Sequence, residues 1–539
     1  MAVTPDTEIR LVKCNLDLDE NNQIDFASAT AQYTYFNSLT HLTVQSASYQ
    51  RKDNYIRYPA HIDSIIQYNY CMYKNTHYNA NKWFYAYITR MEYENDNCTR
   101  VYIKTDVYQT WQFDLTYKKS FVEREHVNDD TIGLHTVPEN LETGEYCINA
   151  TQRFMTDTQF YPVIATGTVK NITGGLMAPA NSTYNGVFCG EWYYTFADNT
   201  NATNFIKQLN KDGQIESINS VFMIPKSIYN NMSKSAKQTH TASGADDFTF
   251  EYYCVTGDVS GVVIASSQTV AMQTTLNGYT PKNNKLKCFP YNFLEVTNNS
   301  GTSVIYHYEK FVSNTPTFNI LGAVTPGCSV KMIPISYNNI ADSSPNSTGA
   351  KNSWQDGITG GKYPIGSWNS DVYTNWLTQN GINVEMNALS AGATLGAGLV
   401  TANPIAIGGG IMAIANVVGE QRRHELTPDV TKGNVNSGDV TYSHMNLFLQ
   451  VNKKSIKQEY AKIIDDFFSM YGYKVNSLKT PNITGRTNWN YVKLINPNIE
   501  GYIPQEDLQE IKRMFSNGIT IWHKTAYFLD YSQTNNIVS

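Results

Sequence analysis

The sequence contains few charged residues. Of its 539 residues, 16% are Asp, Glu, Lys or Arg, whereas about 25% is usual for soluble globular domains. The 47 acidic residues outnumber the 41 Lys and Arg residues, and the formal net charge is −6. A protein that grips DNA through its phosphates needs an excess of Lys and Arg, so this class is excluded. A conduit through which DNA slides remains open, because a conduit should not bind its cargo tightly.

Closely spaced cysteines and a secretion signal are also lacking. The 8 cysteines are widely spread, with no CxxC pair and no Cys/His cluster. This spacing excludes a zinc site of the usual kind and a compact disulfide scaffold. The N-terminal sequence MAVTPDTEIR has no apolar core of the kind found in signal peptides. We therefore expect free, mostly buried thiols in a protein that folds in a cytoplasm.

Two fragments of known binding motifs are incomplete. A calcium-type loop begins at Asp17, but Asn22 and Ser28 stand where such a loop requires Gly and Glu. We expect an acidic turn there. The sequence Gly360–Lys362 is followed by Tyr363, where a phosphate-binding loop requires Ser or Thr. The sequence therefore predicts neither a calcium site nor a nucleotide site.

A charged cluster, Glu123–His126, ends a strand-like stretch. Catalysis there would require an acid and a base held together in a cleft, and nothing in the sequence orients the histidine. We expect a solvent-exposed or inter-subunit edge of ion pairs. Since no acid, base, nucleophile and metal-ligand set converges on a motif, we predict a protein that is not an enzyme, with no cofactor and no metal ion.

The residues that are abundant favour strands and tight turns. The chain contains 38 Tyr and 8 Trp and is rich in Asn and Thr. Lys82–Glu94 and Val101–Val107 alternate in side-chain size around the turn Asn95–Asn97, which predicts a hairpin. Helical spacing predicts helices over Lys453–Tyr471 and Pro504–Gly518. Because the chain is too long for one core, we predict a multidomain, mainly β (α+β) fold.

One long apolar stretch, Met386–Val418, carries no charged residue. Asn403-Pro404 can start a helix near its middle, which divides it into two arms. Each arm is shorter than the about 20 residues that a helix needs to cross a bilayer. A buried core hairpin and a segment that meets lipid both remain open. The many glycines lose chain entropy and pack poorly, which favours a segment that moves between two environments.

Eight segments, in a shared order, carry a family resemblance. They are Gln32–Asn37, Asn81–Ala86, Asp106–Asp114, Ser120–Val127, Pro290–Thr297, Tyr471–Asn476, Leu508–Ile511 and Asn517–His523. In these segments the chain resembles the tail knob (distal tail tube) proteins of picovirus-type short-tailed phages of Gram-positive bacteria. The apolar stretch stands where that family has a long apolar loop.

The resemblance implies a virion protein of the phage tail, made in the host cytoplasm, that contacts the host envelope on infection. It implies a homo-hexamer whose subunits together form a tail-tube β-barrel, joined to upstream tail or connector proteins. Viral DNA would pass through the lumen without sequence-specific binding. The apolar loops would plug the lumen and then insert into the host cell membrane during genome ejection.

On this basis, the expected membrane-active, lumen-plugging residues lie in the apolar stretch. They are Met386, Leu389, Gly392, Leu395, Gly396, Leu399, Val400, Pro404, Ile405, Ile407, Gly408, Gly409, Gly410, Ile411, Met412, Ile414, Val417 and Val418.

Composition shifts along the chain, read together with the family resemblance, predict five regions. They are an N-terminal tube β domain (1–150), an inserted loop-rich β domain (151–285), a tube or knob β segment (286–385), the apolar pore-plugging loop (386–424) and a C-terminal tube segment with an amphipathic helix (425–539). Two other functions remain open: a receptor-binding tail protein that holds cell-wall sugar through 151–285, and a tail-associated cell-wall hydrolase.

Overall fold

The computed structural model describes residues 6–47, 49–50, 54–75, 82–154, 159–167, 169, 175–179, 182–185, 187–242, 248–299, 301–325, 329–338, 351–362, 365–367 and 449–538. The chain divides into two compact units, each assembled from separated stretches of sequence. Unit 1 comprises residues 1–144, 279–286 and 458–539, and unit 2 comprises residues 145–278 and 287–457. The five-region division made from the sequence stays a prediction.

Strands dominate the described residues, and the predicted mainly β, multidomain fold is confirmed. The strands are β1 Thr7–Val12, β2 Asn22–Ile24, β3 His41–Ala47, β4 Tyr49–Gln50, β5 Tyr55–Tyr58, β6 Tyr70–Asn75, β7 Phe84–Asn95, β8 Cys98–Thr105, β9 Leu115–Tyr117, β10 Ser120–Glu125, β11 Tyr146–Phe154, β12 Phe160–Thr166, β13 Thr183–Tyr184, β14 Val187–Phe188, β15 Trp192–Thr195, β16 Ile218–Pro225, β17 Gln238–Thr241, β18 Thr249–Cys254, β19 Val262–Thr269, β20 Asn292–Thr297, β21 Ser303–Tyr306, β22 Thr317–Gly322, β23 Ser329–Pro334, β24 Ile358–Lys362, β25 Ile365–Ser367, β26 Leu449–Ile456, β27 Tyr473–Lys479, β28 Trp489–Ile495, β29 Ile499–Gly501 and β30 Ile519–Trp522. The α-helices are α1 Ala29–Ser38, α2 Ile62–Ile65, α3 Val107–Trp111, α4 Asn199–Lys211, α5 Lys226–Asn231, α6 Gln458–Tyr471 and α7 Gln505–Asn517.

Unit 1 contains a seven-stranded sheet in the order β3-β1-β6-β7-β8-β5-β4. Its neighbouring strands run antiparallel, and the predicted hairpin is its β7–β8 pair, with Asn95 opposite Cys98. A second sheet, in the order β2-β30-β28-β10-β27, pairs β2 with β30 in parallel. This pairing joins residues near the start of the chain to residues near its end.

The two helices predicted near the C-terminus are present in unit 1. Helix α7 begins after Pro504 and ends at Gly518, whose φ of 98° suits glycine. It buries an apolar stripe that includes Ile511 and Phe515. Helix α6 begins at Gln458, so the prediction of a helix from Lys453 was wrong. Residues 453–456 belong to β26, where pairing with two neighbouring strands overrides the helical spacing.

Unit 2 contains three sheets of four or more strands. Their orders are β17-β18-β15-β12-β16-β25, β19-β22-β23-β24 and β11-β26-β20-β21. A short hairpin, β13–β14, pairs Thr183 with Phe188. One core cluster draws on residues from Phe154 to Val451, so distant parts of the chain fold around one core. The seven described cysteines are free, as expected, and four of them are buried; Cys328 lies outside the described residues.

Candidate functional site

Every residue predicted to plug the lumen, from Met386 to Val418, lies outside the described residues. The described chain stops at Ser367, the end of β25, and resumes at Leu449, the first residue of β26. No helix within the described ranges is long and apolar enough to cross a membrane. The structure therefore fixes the strands between which the apolar stretch is inserted.

Strand β26 is a central strand of the sheet β11-β26-β20-β21, called here the β26 sheet. All of its pairs are antiparallel. One row across the sheet runs from Thr151 through Asn452 and Glu295 to Ile305. The next strand-crossing row, from Gln152 through Val451 and Val296 to Val304, faces the opposite side because side chains alternate along a strand.

The two faces of the β26 sheet differ in chemistry. Val451, Val296 and Tyr306 are fully buried in the core of unit 2. On the other face, the Thr151 hydroxyl donates to the Asn452 side-chain oxygen at 3.0 Å. The Lys454 ammonium pairs with the Glu295 carboxylate at 2.6 Å. The middle of the second face is thus polar, and its central ion pair balances one positive charge with one negative charge. Arg153, opposite Gln450, adds a further positive charge, and Ile305 lies at the edge of the same face.

The two outer strands of the β26 sheet, β11 and β21, have no further partner strand among the described residues. In β11, six consecutive residues, 148–153, are exposed, so the strand is open to solvent on both faces. Ile148 is 54% exposed on β11 and Ile305 is 47% exposed on β21. An edge strand with unpaired backbone groups and exposed apolar side chains is a template for pairing with another chain. The β26 sheet can therefore be extended at either edge.

Unit 1 has an exposed apolar row of its own. Phe121 on β10 lies opposite both Leu478 on β27 and Ile495 on β28. These side chains are 39%, 70% and 45% exposed, respectively, and they line a groove of about 520 Å³. Neighbouring exposed apolar residues of this kind mark surfaces that bind another protein.

The cluster Glu123–His126 is not the exposed or inter-subunit edge that we expected. Glu125 is fully buried, pairs with the Lys479 ammonium and accepts the Asn482 backbone N–H at 2.8 Å. Its strand, β10, has a partner on each side, so its charge is neutralised within unit 1. The sequence cannot reveal this, because Lys479 is more than 350 positions away.

His126 is 2% exposed and both ring nitrogens have partners in unit 1. Its Nδ1 accepts the Tyr491 backbone N–H at 2.8 Å, and its Nε2 lies 3.1 Å from the Ser469 carbonyl oxygen. Nε2 therefore carries the proton of a neutral ring. Burial and the nearby Arg486 charge lower the pKa of His126 to about 3. A histidine held in this way cannot reach a substrate, and the described residues contain no cluster of three or more metal-ligating side chains.

Comparison with known proteins decides the family. Residues 262–536, a little over half of the chain, match the model for the C-terminal domain of the Bacillus phage phi29 tail knob protein gp9. The chain belongs to this tail knob family. Residues 5–118 also match the N-terminus of the caudoviral major tail protein. The resemblance found in the sequence is confirmed, and the chain is a structural protein of a phage tail.

Individual tail knob proteins agree with this membership. The chain is 27% identical to the tail knob protein gp9 of Bacillus phage PZA, and 26% identical to that of Bacillus phage phi29, over 96% of each chain. The solved structure of the bacteriophage C1 tail knob protein gp12 superposes with a TM-score of 0.64 and 15% identity, over 99% of this chain and 100% of that one. The similarity thus spans both units.

Sequence reasoning found the apolar stretch but missed the β26 sheet. Strand β11 pairs with β26 across about 300 intervening residues, and no local pattern encodes such a partner. One available signal was the run 149–153, which has no large apolar side chain and so suits an exposed edge strand.

Proposed function

We propose that six copies of this tail knob protein form a tube that conducts viral DNA during genome ejection. The observation that carries the proposal is the β26 sheet, which combines two open edges with one polar face. Strand β11 of one copy would pair with β21 of the next, so that the same contact repeats around a closed ring. Six β26 sheets would then form the barrel wall.

The polar face of the β26 sheet would line the lumen. Its Thr151, Asn452 and Gln450 side chains are uncharged, and the Lys454 charge is offset by Glu295. Arg153, which lies opposite Gln450 on the same face, adds one positive charge per copy, and so few positive charges would hold passing phosphates only weakly. The buried apolar face, with Val451 and Val296, would hold each wall segment to its own unit 2 core.

The apolar stretch Met386–Val418 would plug this lumen before infection. It belongs to the segment that leads directly into β26, and its lack of charge suits storage out of water. After release, the stretch would enter the host membrane. The small residues Ala388, Gly392 and Gly396 recur every four positions, a spacing that lets helices from neighbouring copies approach closely in lipid.

Other parts of the proposal rest on family membership. The tube would attach to upstream tail or connector proteins and would meet the host envelope at its free end. The exposed row of Phe121, Leu478 and Ile495 offers unit 1 a surface for one of these protein contacts.

Electron microscopy of the purified full chain tests the assembly. We expect rings or short tubes with six-fold symmetry. A protein that stays monomeric at every concentration tested would contradict the proposal.

Dye release from liposomes tests the membrane step separately. The full chain is compared with a variant in which residues 386–418 are replaced by a Gly/Ser-rich segment of the same length. We expect the replacement to abolish release while six-fold rings persist. Equal release from both proteins would remove the membrane role and leave the tube intact.

A further inference from the structure

Unit 2 contains a cavity of about 320 Å³ that the tube does not use. This volume lies at the lower end of the about 300–1,000 Å³ found for ligand pockets, which suits one ring-sized group. Its walls come from the β13–β14 hairpin, the turn before β19, the β22–β23 hairpin and a 3-10 turn after them. The lining residues are Tyr184, Asn185, Ser260, Gly261, Leu321, Gly322, Ala323, Lys331 and Trp354.

Backbone and side-chain hydrogen bonds hold the polar part of the wall in place. The Val259 N–H donates to the Thr183 carbonyl at 2.8 Å, which ties the hairpin to the neighbouring turn. The Ser260 hydroxyl, which has one hydrogen, lies 2.6 Å from the Asp258 carboxylate and 3.0 Å from the Asn185 side-chain oxygen and so bridges these two side chains. Among the described residues, nothing accepts from the Asn185 amide NH₂. The Asn185 amide therefore has a donor hydrogen for a ligand hydroxyl.

Two aromatic side chains of the wall are unusually exposed. Trp354 is 59% exposed and Tyr184 is 44% exposed. Within the part of the chain that the structure describes, no ring stacks on Trp354 and no acceptor faces its indole N–H. Its backbone is nevertheless held, because the Asp356 N–H donates to the Ser353 carbonyl at 3.1 Å. An anchored aromatic with a free face and a polar edge is suited to the flat C–H face of a sugar ring.

Lys331 adds a positive charge to the wall. It lies on β23 between Leu321 and Thr359 of the adjoining strands, and its side chain is exposed. It forms no ion pair in the described ranges of the chain. The protein as a whole carries a net charge of −6, which repels anions. An unpaired lysine beside a cavity makes that one place more favourable for an anion.

We propose that this cavity binds a sugar unit that carries an anionic group. Trp354 and Tyr184 contact the ring, Asn185 binds a hydroxyl, and Lys331 pairs with the phosphate or carboxylate. Anionic sugars of this class occur in polymers of the bacterial surface, so the site would give the tail knob a direct hold on the envelope. The argument uses no part of the tube proposal, and each can fail without the other.

A titration of the full-length protein, monitored by ligand-observed NMR, tests the site. The probes are N-acetylglucosamine 1-phosphate, N-acetylglucosamine, inorganic phosphate and a short single-stranded thymidine oligonucleotide. We expect the sugar phosphate to bind about tenfold more tightly than the neutral sugar or phosphate alone. If inorganic phosphate binds equally well, charge alone explains the signal and the proposal fails. If the oligonucleotide binds best, the site serves nucleic acid and the proposal also fails.

Four variants locate the binding. Trp354→Ala removes the ring contact, and we expect about tenfold weaker binding of the sugar phosphate. Lys331→Gln should weaken binding of the sugar phosphate about fivefold and leave binding of the neutral sugar unchanged. Gly261→Gln should fill the cavity, since a Cβ at Gly261 meets nothing within 4 Å, and should abolish binding. The control Tyr502→Ala removes a fully exposed aromatic elsewhere and should change nothing.

Intact binding by Trp354→Ala and Gly261→Gln would overturn the assignment of the cavity. Loss of binding in Tyr502→Ala would overturn it too, because the effect would then not depend on the site. All four positions are exposed or open, so folding of each variant is expected and can be checked by circular dichroism.

Discussion

Strand β10 of unit 1 and strand β11 of unit 2 differ in how far the chain itself satisfies them. In unit 1, strand β10 lies inside its five-stranded sheet, and the buried Glu125 and His126 find all their partners within the chain. In unit 2, the β26 sheet ends in β11, which is exposed on both faces. The difference indicates that the two strands are stabilised in different ways. These groups of unit 1 are stabilised by contacts within one copy, whereas in the proposed tube the β26 sheet would gain contacts from another copy.

The largest expected effect is the pH dependence that His126 gives to unit 1. The folded state keeps the ring neutral, with a pKa of about 3, whereas the unfolded state protonates near pH 6.5. Between these values the unfolded state binds more protons, so acid removes stability as the pH falls from 6.5 toward 3. The loss is complete below about pH 3, where it amounts to about 5 kcal/mol. Chemical denaturation at several pH values measures the effect.

His126→Asn is the matched variant, because its side-chain oxygen can still accept the Tyr491 N–H but does not titrate. We expect a flatter stability profile between pH 6.5 and 4 than in the parent protein. Parallel profiles for the two proteins would show that His126 does not carry the acid sensitivity.

A second large effect on stability is expected at Asp465. Its carboxylate binds the segment 279–286 to the rest of unit 1. This fully buried carboxylate accepts from the Tyr279 hydroxyl at 2.8 Å and from the backbone N–H groups of Lys282 and Asn283 at 2.7 and 3.1 Å. Asp465→Ala leaves these donors without an acceptor and should lower the free energy of unfolding by about 3 kcal/mol. Thermal unfolding measures the loss.

The neighbouring residue supplies the control. Asp466 is 64% exposed in its pair with Lys282, so Asp466→Ala should change the free energy of unfolding by less than about 1 kcal/mol. A similar loss in both variants would mean that burial does not distinguish the two carboxylates.

At the edges of the β26 sheet we expect an effect on assembly and little effect on folding. Ile148→Lys or Ile305→Lys places a charge on an exposed edge, where lysine blocks strand pairing. Assembly should weaken about tenfold or more, while the melting temperature of the monomer stays unchanged. Light scattering across a concentration series measures the assembly. The control is Ile463→Lys, on the exposed side of α6, which should assemble normally. If its assembly weakens as much as that of the edge variants, the effect is not specific to the edges.

Much of unit 1 could be predicted from local sequence. The β7–β8 hairpin follows from side-chain alternation, and helix α7 follows from Pro504, Gly518 and the apolar spacing between them. The start of α6 could not be predicted, because the residues from Lys453 to Ile456 fit a helical stripe but pair with β11 and β20. Pairing with distant strands overrides a local preference.

The candidate site was predictable only in part. The absence of charge in Met386–Val418 is a property of sequence alone, and so is its family resemblance. The edges of the β26 sheet depend on strands that the sequence places far apart. The environment of His126 is hidden for the same reason, since Ser469 and Tyr491 lie more than 340 positions away from it.

Disulfide trapping tests most directly whether β11 of one copy pairs with β21 of the next. In a Cys147→Ser background, Thr151→Cys is combined in turn with Ser303→Cys and with Ile305→Cys, because the register between copies selects which pair comes within disulfide range. We predict that, under oxidising conditions, one combination gives a ladder of covalent oligomers that ends at six, while each single cysteine gives at most dimers. Six-fold rings by electron microscopy that cross-link in neither combination would contradict the account.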